Sequence, residues 1–518
     1  MHTPKLILPT IVLAMAALTA TAAEPFSFPR STPEAQGVSS AAILNFLQEA
    51  APKVDGLHSF MLVRHGYVVA EGWWSPYSAD QPHVLFSLSK SFTSTAVGLA
   101  IADGKLGLYT PVFDLFPSEG PANPSANLKA MRVRDLLTMS TGHEDSAIEN
   151  FPFYAKEDLV RRFLALPVTH KPGTLFVYNT PASYMLSAIV QKATGQTVHD
   201  YLLPRLFKPL GIADPTWEKS AQGIDMGGFG LKVRTEDIAR FGQLYLQKGQ
   251  WQGRQLIPAG WVEQATSRQM SNGSDPTGNW DQGYGFQFWR CPHGVYRGDG
   301  AFGQFCIVMD KYDSVIAITS GTRDMSAVLD SVWKYLLPAF HDGPLPAAPA
   351  DDARLVDTLA KLAVPPQVGL TSSPMESQIL GRRYAFADNP EGIRSVTVTA
   401  PEQGGMWMRG AVAVPKGTPS GALTFIIDFG GTAVHITAAP GLWHRGGVVQ
   451  TQSGPEPIAA SGAWTGDYTY SLKVCQYQTP FIKTYQLRFS GDELRIDSAV
   501  NVSFDDVQPP SLIGTVRN

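Results

Sequence analysis

Cysteine is scarce in this 518-residue chain: only Cys291, Cys306 and Cys475 occur. An odd, sparse set is no disulfide framework. Cys291 and Cys306 could pair across neighbouring strands, but free buried thiols are the expected state. No Cys/His spacing and no H-E-x-x-H motif points to a metal, so neither metal nor other cofactor is expected. Positive charge is not in excess either. A net charge of −4 and a pI near 6.3, with no basic cluster, exclude the footprint of a nucleic-acid binder. Beyond the N-terminus no apolar run reaches membrane-spanning length. No repeat of roughly 20–50 residues recurs, and the G-x-S-x-G elbow of an α/β-hydrolase is missing.

What is present begins with a targeting pattern. In "MHTPKLILPTIVLAMAALTATAAEPF", Lys5 precedes an apolar core from Leu6 to Leu18 and small residues close on Ala23. That is the pattern of a secretory signal over residues 1–23, and it predicts a periplasmic or secreted protein. Pro9 and the threonine-rich end argue against an uncleaved spanning helix.

The rest reads as more than one domain. "HSFMLVRHGYVVAEGWW" alternates around His65-Gly66 like a β-hairpin. "VRDLLTMSTGH", "ASYMLSAIVQKATG" and "TEDIARFGQLYLQKG" show helical spacing, the last two stopping at Gly195 and Gly249. "GYGFQFWR", "GVYRGDGA", "FGQFCIVMD" and "SVIAITSGT" return to strands. Strands at both ends with helices between predict an α+β domain over residues 24–340, an antiparallel sheet flanked by helices plus a helical subdomain. Residues 341–374 open with "HDGPLPAAPADDARL" and read as a linker. Residues 375–518 are dominated by short β-type runs and predict an all-β module.

One stretch carries the chemistry. "FSLSKSFTSTAVGLAIADGKL", from Phe86, is a largely apolar helix with little surface face, so Lys90 is expected to be buried. Ser87 lies three positions earlier, on the same side of a helix. A desolvated lysine is a base whose pKa burial lowers, and a serine hydroxyl needs such a base to become nucleophilic. The helix N-terminus further favours developing negative charge. Ser89, Ser91 and Ser94 compete for the role but fall deeper in the helix. Taken alone, Tyr178 in "FVYNT" reads as a core aromatic with a capped hydroxyl.

Together, "SLSKSFTSTAVGLAIADGKL", "VRDLLTMSTGH" and "PGTLFVYNTPASYMLSAIVQKATGQ" resemble the serine β-lactamase and penicillin-binding-protein superfamily, in its class C-like branch, over residues 35 to 335. The resemblance implies Ser87 as acyl-accepting nucleophile, Lys90 as its proton partner and Tyr178 as proton shuttle. It also implies an oxyanion hole from the amides of Ser87 and Ala301. The family's asparagine falls where Thr180 stands, which leaves Asn179 as the candidate to orient Lys90 or the substrate amide. Its third motif falls on "RGDGAFGQF". There Gly298, Asp299 and Gly300 replace Lys/His, Thr/Ser and Gly, with Asp299 and Gly300 against the substrate; Arg297 could supply the missing cation. On its own Asp299 reads as a solvated strand-edge residue. "GDGAFG" also spells G-x-G-x-x-G, but a strand rather than a helix follows, which dismisses a dinucleotide site. "GGFGLKVRTEDIARFGQLYLQKGQWQGRQLIPAGWV" is more similar to the esterases and 6-aminohexanoate-dimer hydrolases of the superfamily than to its true β-lactamases.

The expected function is therefore an exported serine hydrolase of a small ester, amide or peptide, with no membrane span after signal cleavage. The alternatives are a β-lactamase or D-alanyl-D-alanine carboxypeptidase and, from another class, a non-catalytic cell-envelope binding protein. Asp299 is expected to repel anionic substrates. The β module is expected to be a structural or gating appendage, because its residues cluster no acids, bases or nucleophiles.

Overall fold

The computed structural model describes residues 26–517 apart from 51, 55, 149, 150, 403, 411, 415, 416, 418, 506 and 507. The signal expected over residues 1–23 lies outside the described residues.

Strands β1 (Leu57–Arg64) and β2 (Tyr67–Trp73) form the hairpin that the alternation predicts. His65 and Gly66 turn it with φ of 50° and 76°, the two left-handed residues of a tight hairpin turn. The same sheet takes its other strands from far along the chain: β3 (Trp289–Arg290), β4 (Tyr296–Gly300), β5 (Gln304–Met309) and β6 (Ser314–Ser320). The order is β2-β1-β6-β5-β4-β3, antiparallel throughout.

Every residue of β1 is buried, because helices cover both faces. Met61 and Val63 point into one core with helix α2 (Ser89–Ala102) and helix α4 (Thr235–Leu246), joined by α3 (Thr180–Thr194). Phe60 and Leu62, on the opposite face, pack with α1 (Ser40–Ala50). Successive strand residues face opposite sides, so one apolar run feeds two cores. No helix among the described residues is long and apolar enough to cross a membrane. Cys291, Cys306 and Cys475 are free and buried.

Two expectations change. Of "GYGFQFWR" only β3 is strand. Gln287 has φ of 63°. Its side-chain amide donates to the carbonyls of Leu136 and Leu137, and its own carbonyl accepts from Ser91 Oγ, so this segment ties helices together instead of extending a ladder. The stretch expected as linker contains helix α5 (Pro349–Ala360). Proline at its start and Asp351 and Asp352 in its first turn suit a helix N-terminus. Leu355 is buried, and Leu359 and Leu362 close on Gly72 of β2.

Beyond Met375, a 12-stranded antiparallel sheet of described residues wraps one core that includes Tyr384, Phe425, Ile458, Trp464, Leu472 and Leu494. It docks on the catalytic half. Val84 N–H donates to Gln478 O at 2.9 Å, Tyr77 O–H to Thr479 O at 3.0 Å, and Asn501 Nδ2 to Gly321 O at 3.2 Å.

Candidate active site

The short turn Phe86–Leu88 leads into α2. Phe86 adopts φ of 44°, a left-handed conformation that costs a bulky residue on the order of 1–3 kcal/mol. This kink presents Ser87 at the helix entrance, half-buried, while Ser89, Ser91 and Ser94 are buried. Ser89 Oγ accepts from Leu231 N and Ser91 Oγ donates to Gln287 O. Of the four serines, only Ser87 is open to a substrate.

Lys90 is 1 % exposed. Its Nζ lies 2.9 Å from Ser87 Oγ, 3.3 Å from Thr180 Oγ1 and 2.8 Å from the Gly228 carbonyl oxygen. Burial lowers its pKa to about 7, partly opposed by the charge of Asp299. A neutral amine has two N–H donors and one lone pair. Thr180 and Gly228 can take the donors, which leaves the lone pair for the Ser87 hydroxyl.

Tyr178 leads into α3, and Ser87 stands near enough to its hydroxyl to oppose part of its pKa rise. Its ring stacks on Trp289 at 5.3 Å and stands 5.0 Å from Lys90 Nζ. Burial first, and Asp299 second, push its pKa far above the usual phenol value. Tyr178 therefore stays protonated at any physiological pH, and Lys90 is the group that titrates near neutrality.

Asn179 is not placed as expected. Its Oδ1 accepts from Ala182 N at 3.0 Å as the cap of α3, and its Nδ2 faces His143 at 3.3 Å. The side chain is fully buried and bonds neither Lys90 nor an open site. Thr180 makes the lysine contact instead. Reading the motif's position literally, two places after Tyr178, would have found it; choosing residue type over position did not. Gly228 went unnoticed because it contributes only a carbonyl.

Strand β4 closes the site by bare backbone. A Cβ on Gly300 would lie 2.0 Å from Leu85 O and 3.1 Å from Ser87 N, and one on Gly298 2.4 Å from Leu88 Cδ1. Gly300 therefore contributes close approach rather than a side chain. Its close approach to the Ser87 amide leaves no room there for a side chain.

Asp299 is not a solvated edge residue. It is 6 % exposed and accepts from Arg297 Nε and Trp280 Nε1, each at 3.0 Å, with Arg297 Nη2 at an ion-pair distance of 2.9 Å. Arg297, fully buried, also donates to Asn279 O and Cys291 Sγ. Each charge of this buried pair is largely compensated by the other, so neither a free carboxylate nor a free guanidinium is offered to a substrate.

The β module reaches this site. The Phe86 ring meets Phe481 at 6.3 Å and Phe504 at 5.6 Å, and Phe302, next to Ala301, meets Phe504 at 4.7 Å. Rings from two loops of the module thus cover the residues beside Ser87 and Ala301.

A sequence profile of the Beta-lactamase family matches residues 36–335. The 6-aminohexanoate-dimer hydrolase of Paenarthrobacter ureafaciens is 25% identical over 286 residues, 51% of this chain and 73% of its own length. The lovastatin esterase of Penicillium rubens is 27% identical over 163 residues, 27% of this chain and 40% of that one. Among solved structures, a putative 6-aminohexanoate-dimer hydrolase from Bacillus anthracis superposes with a TM-score of 0.51 at 21% identity, over 62% of this chain and 89% of that one.

Proposed function

The chain belongs to the Beta-lactamase family and is a serine hydrolase of that fold; on that premise we propose that it is exported and cleaves a small ester or amide through an acyl-enzyme on Ser87. The observation that carries this reading is Lys90: buried, held by Thr180 and Gly228, tuned to about 7 and 2.9 Å from Ser87 Oγ. A binding protein has no use for a buried amine poised as a base.

In the forward step Lys90 takes the Ser87 proton as Oγ attacks the substrate carbonyl carbon. The carbonyl oxygen gains the negative charge, and the amides of Ser87 and Ala301 receive it. As the tetrahedral intermediate collapses, the leaving alcohol or amine takes the Tyr178 proton, and Lys90 re-protonates the phenol across the Ser87 oxygen. Water then enters on the vacated side, gives a proton back to the same pair and attacks the acyl carbon, releasing the acid and free Ser87.

The pairing of Arg297 with Asp299 supports weak turnover of penicillins and D-alanyl termini, whose carboxylate needs a partner once water is excluded. Export rests on the pattern of residues 1–23.

Fluorophosphonate labelling with peptide mapping, followed by a panel of short-chain esters, D-alanyl amides and nitrocefin, tests the reading. Label on Ser87, ester turnover and its abolition in Ser87→Ala are expected. Removing the nucleophile should lower kcat by about 10⁴-fold or more. Label on another serine, or efficient nitrocefin hydrolysis, would overturn it.

A further inference from the structure

A cavity of about 170 Å³ lies where the two halves of the chain meet. Its walls include Phe86, Phe229, Glu218 and Lys232 from the catalytic half, and Glu456 and Phe481 from the β module. Chain continuity ties it to the reacting groups. Phe86 precedes Ser87, and Phe229 follows Gly228, whose carbonyl holds Lys90.

Its charges do not balance. Glu456 is 2 % exposed and pairs through Oε1 with Lys232, but its Oε2 is buried without a hydrogen-bond partner among the described residues. Glu218 adds a second carboxylate, which accepts from the neutral Tyr154 hydroxyl at 3.0 Å. Two carboxylates thus face one ammonium. An unsatisfied buried carboxylate oxygen is costly, and a cationic group entering the cavity would relieve it. An anion would meet two like charges. Phe86, Phe229 and Phe481 give the cavity apolar walls beside the carboxylates, suited to an alkyl stem and to a cation over aromatic faces. The volume matches roughly five to six waters, enough for a short alkylammonium end.

We propose that this cavity is a substrate subsite for the terminal ammonium of an amine-bearing ester or amide, with Glu456 of the β module and Glu218 of the catalytic half as its recognition groups. The assignment rests on the hydrolase reading of Ser87 and deepens it, because it makes the β module part of substrate selection.

The test compares kcat/KM for the p-nitroanilides of 5-aminopentanoate and hexanoate, which match in shape and differ in the terminal ammonium. The wild-type enzyme should prefer the amine-bearing anilide by about tenfold or more, and Glu456→Gln and Glu218→Gln should each reduce that ratio severalfold. Ser453→Lys, which adds a cation to the same wall, should reduce it as well and decides the matter should a Gln variant fail to fold. No preference in the wild type, or a ratio unmoved in all the folded variants, overturns the proposal. Fluorophosphonate labelling separates the two readings. Label on Ser87 with no amine preference sinks the subsite alone, whereas no label on Ser87 sinks the hydrolase reading beneath it.

Discussion

Between β1 and β6 the chain buries Lys90, Asp135, Asp225, Asp237, Arg297 and Asp299 among others, whereas beyond Met375 Glu456 is the only buried Asp, Glu, Lys or Arg among the described residues. The catalytic half carries desolvated charge both at its site and at helix starts. The module is an alternating sheet around an apolar core, and its single exception stands at the boundary between the halves. Buried charge among the described residues therefore concentrates in the catalytic half, both at the site (Lys90, Arg297, Asp299) and at helix caps (Asp135, Asp237).

The sharpest way to break that comparison is to remove one member of a catalytic-half pair. Asp299→Ala leaves Arg297 desolvated and uncompensated, and should cost about 3–5 kcal/mol of stability. Chemical denaturation would show it, and a loss below about 1 kcal/mol would mean that the pair is weakly coupled. Asp299→Thr should likewise destabilise rather than convert the enzyme to anionic substrates. Its counterpart in the module is Leu472→Ala, at a position 1 % exposed. A loss of about 2–5 kcal/mol is expected from the cavity alone, with the rate of Ser87 labelling unchanged in the folded fraction.

A finer test uses pH. The Lys90 pKa falls from 10.5 to about 7 on folding, so between these values the unfolded chain binds more protons than the native one. Native stability therefore rises with pH across that window, and the penalty of the buried ammonium is complete below about 7. Lys90→Met lacks this dependence. Its stability advantage over the wild type should shrink by on the order of 2 kcal/mol from about pH 7 to about pH 9, while wild-type kcat/KM falls on the acid side of about 7. Melts and pH–rate profiles check both, and parallel stability curves for the two proteins would contradict the assignment. The smallest effect belongs to Asn179→Ala, which removes the cap of α3 and should cost about 1 kcal/mol. A large change in kcat at unchanged stability would return Asn179 to the catalytic set.

Much of this was legible in residue spacing, and where it was not the reason is physical. The His65-Gly66 hairpin and the Ser87/Lys90 pair follow from local rules of turn and helix that tertiary packing does not alter. The Arg297–Asp299 pair was also readable, since residues two apart on a strand share a face, although its burial was not. Asn179 and Thr180 straddle a helix start, where a shift of one residue separates a cap from a first-turn side chain. Helix α5 was hidden by a composition of Pro, Ala and Asp, while its Leu355, Leu359 and Leu362 spacing carried the signal. The cavity between the halves was illegible, because its walls lie hundreds of positions apart.

That separation bears on the order in which the enzyme matures. Ser87, Lys90 and Tyr178 can meet once β6 closes the first sheet, but Phe481 and Glu456 arrive only with the last strands to be synthesised. Domains tend to fold as units from the N-terminus. A chain interrupted in its final third would thus hold Ser87 and Lys90 together beside an unfinished wall.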